Sequence, residues 1–134
     1  MTNTIPPFVF FGGPQISIDL LEELKRNDVL PQLIVTTPDK PAGRKLVLTP
    51  PPLKLWADDN NIPVVQPKSL RKGFDSDTLN SYDLFVVVAY GKIIPKDVLD
   101  IPQHGSINLH PSLLPKYRGP SPIQTAILND DKAT

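Results

Sequence analysis

"LFVVVAYG", Leu84 to Gly91, is the stretch that decides the fold. It is apolar at nearly every position and closes on a glycine. A strand with one face in water alternates apolar and polar side chains, because successive residues point to opposite sides. A continuous apolar run of this length reads instead as a strand covered on both faces, as in a parallel sheet flanked by helices. Leu84–Gly91 is therefore expected at the centre of such a sheet.

The rest of the chain fits around that strand. "PFVFFGGP", Pro7 to Pro14, is a second apolar run ended by a turn. "SIDLLEELKRN" follows, with Ile18, Leu21 and Leu24 on one helical face and charges opposite. "LIVTT", Leu33 to Thr37, predicts another strand, and Pro38 to Pro52 a long loop without apolar period. "PLKLWADDNN" opens on proline and predicts a helix that places Trp56 at a core position. "IPVVQP" is a short strand, and Lys68 to Tyr82 is polar, irregular or weakly helical. "SINLH", Ser106 to His110, is a fifth strand; Ser121 and Pro122 then start a helix through "IQTAILN". Strands alternating with helices predict an α/β fold: an open, largely parallel, twisted sheet. The pattern calls for a further strand after the last helix, so the domain is expected to be incomplete at Thr134.

Composition narrows the chemistry. Acidic and basic residues balance at 14 each, so net charge indicates no partner and any nucleic-acid contact must come from local patches. The absence of cysteine excludes disulfides, thiolate catalysis and Cys-based zinc sites, and fits a reducing compartment. With only two histidines and no ordered carboxylate cluster, no metal site is expected. The N-terminus lacks the basic and apolar segments of a signal peptide, and no apolar run approaches the roughly 20 residues of a membrane span. Most of the 17 prolines stand at predicted element boundaries, where a fixed φ does no harm.

In such folds ligands bind beyond the carboxyl ends of the strands, where Gly12, Tyr90, Gly91 and His110 all fall. The "GGP" turn lacks the spacing and third glycine of a dinucleotide fingerprint and reads as a strand-to-helix turn needing conformational freedom. Asn108 and His110 share strand parity if the strand reaches that far. An amide and an imidazole on one side could hold an oxyanion as a carbonyl is attacked. Equally, His110 could be satisfied by a backbone carbonyl in a strand-end turn. The loop "PSLLPKYRGPSP" is stiffened by Pro111, Pro115, Pro120 and Pro122, which suits presentation of backbone groups to a ring ligand or a plain crossover. Lys40, Arg44, Lys45, Lys68, Arg71 and Lys72 could meet phosphates or simply form a solvated surface.

"INLHPSLLPKYRGPSPIQTAI" closely resembles the signature of the folate-dependent formyltransferases, a long and ordered motif shared by enzymes that formylate tRNA, glycinamide ribonucleotide and amino sugars. "TTPDKPAGRKLVLTPPPLKLWA" and "VVVAYGKIIPKDVLDIP" resemble the branch that acts on methionyl-tRNA. Gly13 departs from the family, which more often has threonine there. The resemblance implies a Rossmann-like formyltransferase fold cut before its last strands, with residues 1–134 the N-terminal portion of the catalytic domain and a C-terminal tRNA-gripping domain absent.

It further implies transfer of a formyl group from 10-formyltetrahydrofolate to methionyl initiator tRNA, without a metal or a covalent enzyme intermediate. Asn108 would bond the formyl oxygen, and His110 would stabilise the oxyanion and help move a proton. Tyr90, Gly91, Ile93, Ile94, Ser112, Leu113, Leu114 and Pro115 would border the folate. Arg44 and Lys45 would touch the tRNA. The family's aspartate beyond Thr134 is missing, so the 134-residue chain alone is expected to have little or no activity. The implied whole protein is a cytoplasmic or organelle-matrix monomer, with no DNA or membrane partner. A sugar-amine formyltransferase and a non-catalytic folate-binding module are the alternatives; the incomplete glycine pattern disfavours an NAD-binding domain.

Overall fold

A computed structural model describes residues 4–71 and 73–134. Its centre is a parallel five-stranded sheet, built from β1 (Phe8–Gly12), β2 (Leu33–Val35), β5 (Val64–Val65), β6 (Leu84–Val88) and β7 (Ser106–Leu109). The spatial order is β5-β2-β1-β6-β7. Helices α1 (Gln15–Arg26), α2 (Pro52–Asp59), α3 (Lys96–Leu99) and α4 (Pro122–Leu128) fall between and after the strands, and a 3-10 turn spans Ser76–Leu79.

β1 takes the middle of the sheet, paired with β2 through Phe10–Ile34 and with β6 through Phe10–Val86. The "FVFFG" stretch is buried at all five positions. Its alternate side chains feed two cores. Phe8 and Phe10 join Leu21, Ile34, Leu53 and Trp56 under α1 and α2. Val9 and Phe11 join Val35, Leu79, Phe85, Tyr90 and Val98 on the opposite face. The Trp56 indole N–H reaches across from α2 to the Glu22 carboxylate of α1, which satisfies the one polar group that its burial would orphan.

Two expectations about the strands are corrected first. Leu84–Val88 is not the central strand but sits one place in from the β7 edge. An apolar run reports coverage of its faces, not its rank in the sheet, and Leu84, Val86 and Val87 are only half-buried. The segment Pro38–Pro52 is not a bare loop. β3 (Lys40–Ala42) and β4 (Val47–Thr49) form an antiparallel hairpin, exposed at every strand residue. With no core to bury, it carries no apolar alternation to read in the sequence.

The turn after β1 needs space rather than conformational freedom. Gly12 does not adopt a positive φ, but a Cβ there would lie 2.6 Å from the Ser17 hydroxyl and 2.8 Å from the Phe10 ring. That gap lets the fully buried Ser17 accept from the Gly13 N–H at 3.1 Å and donate to the Val88 carbonyl at 2.8 Å. Ser17 thereby ties the start of α1 to the carboxyl end of β6.

Candidate active site

β6 ends where Ala89 and then Gly91 take positive φ, +51° and +77°, which turns the chain sharply off the sheet. β7 stops at Leu109, so the parity expected of Asn108 and His110 applies only to Asn108. Both residues nevertheless line one concavity of about 280 Å³ at the carboxyl ends of β6 and β7, with Ile16, Val88, Ala89 and Pro122 around them. Asn108 also borders a larger cleft of about 730 Å³, whose walls include Ile94, Leu99, Gly105 and Ser106. The exposed Asn108 amide enters no hydrogen bond among the described residues, which leaves its donors open.

His110 is partnered. Its Nε2 lies 2.7 Å from the Tyr117 carbonyl oxygen. A carbonyl only accepts, so Nε2 carries the proton. This is the strand-end satisfaction that spacing had left open, and it coexists with a place in the concavity. The loop closes on itself beyond His110: the Ser112 N–H donates to the His110 carbonyl, and the Ser112 hydroxyl to the Lys116 carbonyl. Leu113 and Leu114 stand exposed at 63% and 59%, so this stiff loop presents apolar side chains to solvent beside the site. Pro115, also exposed, follows a cis peptide bond.

The remaining predicted residues separate. Ile94 faces the large cleft, whereas its neighbour Ile93, 67% exposed, lines a different hollow with Leu70, Phe74 and Pro95. Gly91 is exposed. Tyr90 is a core residue, edge-on to the Phe11 ring at 5.6 Å. Arg44 and Lys45 occupy the turn joining β3 to β4 and are fully available to solvent beside exposed Leu46, Val47 and Leu48. Lys68 and Arg71 are exposed, and Lys72 lies outside the described residues.

The Tyr90 hydroxyl is buried without a partner, and burial pushes its phenol up to about 12. An unfolded chain gives up that proton near its ordinary value of about 10. The contribution of Tyr90 to stability should therefore be level below pH ~10 and fall from there to about 12, because the unfolded state loses this proton first. An orphaned buried hydroxyl also costs roughly 1–3 kcal/mol. Tyr90→Phe is expected to be at least as stable as the parent at pH 7 and to lose less stability on the alkaline side. Urea midpoints at a series of pH values check both.

Among the described residues no group of three or more His, Asp or Glu side chains could hold a metal ion, and no helix is long and apolar enough to cross a membrane. The contact with His110 made by Tyr117 was not foreseen. It uses a backbone carbonyl turned by a positive φ, which residue type does not signal.

A parallel sheet with an amide in β7 and an imidazole just past that strand's carboxyl end, beside an open cleft, defines an open, Rossmann-like α/β domain. The chain belongs to the formyl transferase family, whose model matches residues 7–134. It is 46% identical over 128 residues to a methionyl-tRNA formyltransferase of Halalkalibacterium halodurans, covering 94% of this chain and 40% of that protein. It is 45% identical over 128 residues to one of Thermus thermophilus, covering 93% and 41%. The chain thus spans about two fifths of the length of the curated relatives it matches. Among solved structures, glycinamide ribonucleotide transformylase 1 from Geobacillus kaustophilus superposes with a TM-score of 0.64 at 23% identity, over 93% of this chain and 69% of that one. At that identity the likeness concerns the fold alone.

Proposed function

We propose that residues 1–134 are the N-terminal portion of the catalytic domain of an enzyme that transfers a formyl group from 10-formyltetrahydrofolate to the amino group of methionyl initiator tRNA. The observation that carries this reading is that Asn108, in β7, and His110, just past it, line one concavity beside the open cleft, where β6 and β7 end. In the reaction the amine attacks the formyl carbon and the C=O electron pair moves to oxygen; that pair then returns to re-form C=O as the bond from carbon to the folate nitrogen breaks and a proton passes from the amine to that nitrogen. Pre-placed donors act where the negative charge develops. The Asn108 amide donates to the formyl oxygen; with the His110 Nε2–H held by the Tyr117 carbonyl, Nδ1 is the nitrogen left for the reaction, stabilising the oxyanion when the ring is the imidazolium and taking up a proton when it is neutral.

The folate lies in the cleft that Ile94 and Asn108 share, with exposed Gly91 and the loop residues Ser112, Leu113, Leu114 and Pro115 beside it, while Tyr90 stays in the core and Ile93 faces a separate hollow. Arg44 and Lys45 on the exposed hairpin contact tRNA phosphates. The enzyme works as a cytoplasmic monomer. The full-length enzyme of which residues 1–134 are the proposed N-terminal portion, given 10-formyltetrahydrofolate and in turn methionyl-tRNA, glycinamide ribonucleotide or a nucleotide-linked amino sugar, should formylate the tRNA by far the fastest, and the 134-residue chain by itself little or not at all. Preference for either other amine would overturn the assignment.

The hairpin makes a separate expectation. Each phosphate contact releases condensed counterions, so tRNA affinity should fall with rising salt. Arg44→Ala should weaken tRNA binding about tenfold, flatten the salt dependence by about one contact, and leave the folate donor's KM unchanged. Equal loss of both substrates would remove Arg44 from the tRNA surface. Filter binding across a salt series, beside steady-state kinetics, reads both.

A further inference from the structure

Tyr117 holds a conformation that its side chain resists. Its φ is +54°, in the left-handed region that a bulky residue adopts only under constraint. That turn aims its carbonyl at His110 Nε2, 2.7 Å away. The constraint is visible at the other end of the residue. The Tyr117 hydroxyl donates to the Asp131 carboxylate at 2.5 Å and accepts from the Asn129 amide at 3.0 Å. Lys116 closes the cluster, 3.1 Å from the same carboxylate and 5.0 Å from the centre of the Tyr117 ring. Asp131 follows α4, the helix whose first residue, Pro122, lines the concavity with His110.

We propose that Tyr117 and Asp131 are positioning residues: the clasp between hydroxyl and carboxylate holds the strained Tyr117 backbone, whose carbonyl fixes the orientation and tautomer of His110. The side-chain bonds over-determine the backbone, and the backbone in turn sets the imidazole. The bonds to Tyr117 and Lys116 also hold the Asp131 carboxyl below its ordinary range, so the clasp is ionised at neutral pH.

The effect on catalysis rests on the formyl-transfer reading above; the effect on the ring does not. The test uses the full-length enzyme, not the 134-residue portion, with Tyr117→Phe, Asp131→Ala and both together, each checked for an intact fold by its thermal melt. Ring nitrogens are followed by 15N NMR, and turnover with 10-formyltetrahydrofolate and methionyl-tRNA is measured in parallel. Each single variant should shift the His110 ring signals away from the fixed tautomer and lower kcat about tenfold, as for a misplaced catalytic group, with the donor's KM within about twofold. The double variant should be no worse than either single, because both break one bond. Unchanged ring signals overturn the clasp, as does a kcat that is unchanged or raised. If the parent transfers no formyl group while the ring signals still respond, the clasp stands and the reaction assignment falls. Where a variant's melt shows it unfolded, Asp131→Asn, which keeps an acceptor for the hydroxyl, replaces Asp131→Ala. Ring signals like the parent's are then expected, and signals displaced as far as those of Tyr117→Phe overturn the clasp.

Discussion

Replacing Asn108 by alanine in the full-length enzyme is expected to slow formyl transfer by about 10²–10³-fold, the usual effect of deleting one donor aimed at a developing oxyanion. The amide is a strong candidate for that donor because no hydrogen bond among the described residues uses it and it borders both hollows. The loss should fall on kcat, since a group that bonds the oxygen more strongly as charge develops contributes little to ground-state binding. His110→Ala should produce a loss of similar size, and the double variant should lose less than the product of the two, because both serve one charge. Single-turnover kinetics with saturating donor separate chemistry from binding. Near-parental kcat in Asn108→Ala would mean that the concavity is not where the formyl carbon is attacked. Deleting the side chain leaves β7 in place, because its ladder with β6 is made by backbone groups.

Phe11→Ala is expected to cost about 3–5 kcal/mol of stability, as fully buried aromatic-to-alanine changes do when the cavity cannot collapse. Phe11 is wholly buried on the central strand, with ring centroids 5.2 Å from Phe85 and 5.6 Å from Tyr90. Strands on both sides hold its backbone, so relaxation into the hole is restricted. Because Tyr90 lies at the turn that leads to Ile93 and Ile94, the same cavity should loosen the wall of the larger cleft. Chemical denaturation of parent and variant gives the difference directly. A loss below about 1 kcal/mol would mean that the site repacks far more freely than protein interiors do.

What the sequence made legible follows the physics of each feature. β1, β2 and β6 are runs of apolar residues too short for helices, and α1 carries a clear apolar face; these were readable because burial dictated residue type. The β3–β4 hairpin was not, because nothing in it is buried, although Gly43 at φ +74° marks its turn. The short α3 escaped notice although Pro95 stands at its start. Strand order is fixed by crossovers that no local pattern contains, hence the displaced position of β6. In the candidate site, Asn108 and His110 were singled out by strand parity and by the family resemblance, yet that parity assumed one strand residue more than exists. Ile93 and Ile94 look interchangeable as letters but face different hollows once Gly91 has turned the chain. Tyr117 was invisible since its part is played by a backbone carbonyl in a conformation that tyrosine ordinarily avoids.

The central place of β1 bears on how the chain emerges from the ribosome. β1 is synthesised first, but it pairs on one side with β6, and the Val88 carbonyl that receives the Ser17 hydroxyl lies 71 residues further along. At roughly 5–20 residues per second, those partners arrive about 4–14 s later. During that interval "FVFF" is a β-prone apolar segment with one edge unpaired, the kind of sequence that chaperones bind and that self-associates when unprotected. The strand that anchors the finished sheet is thus also the one that newly made chains must shelter longest.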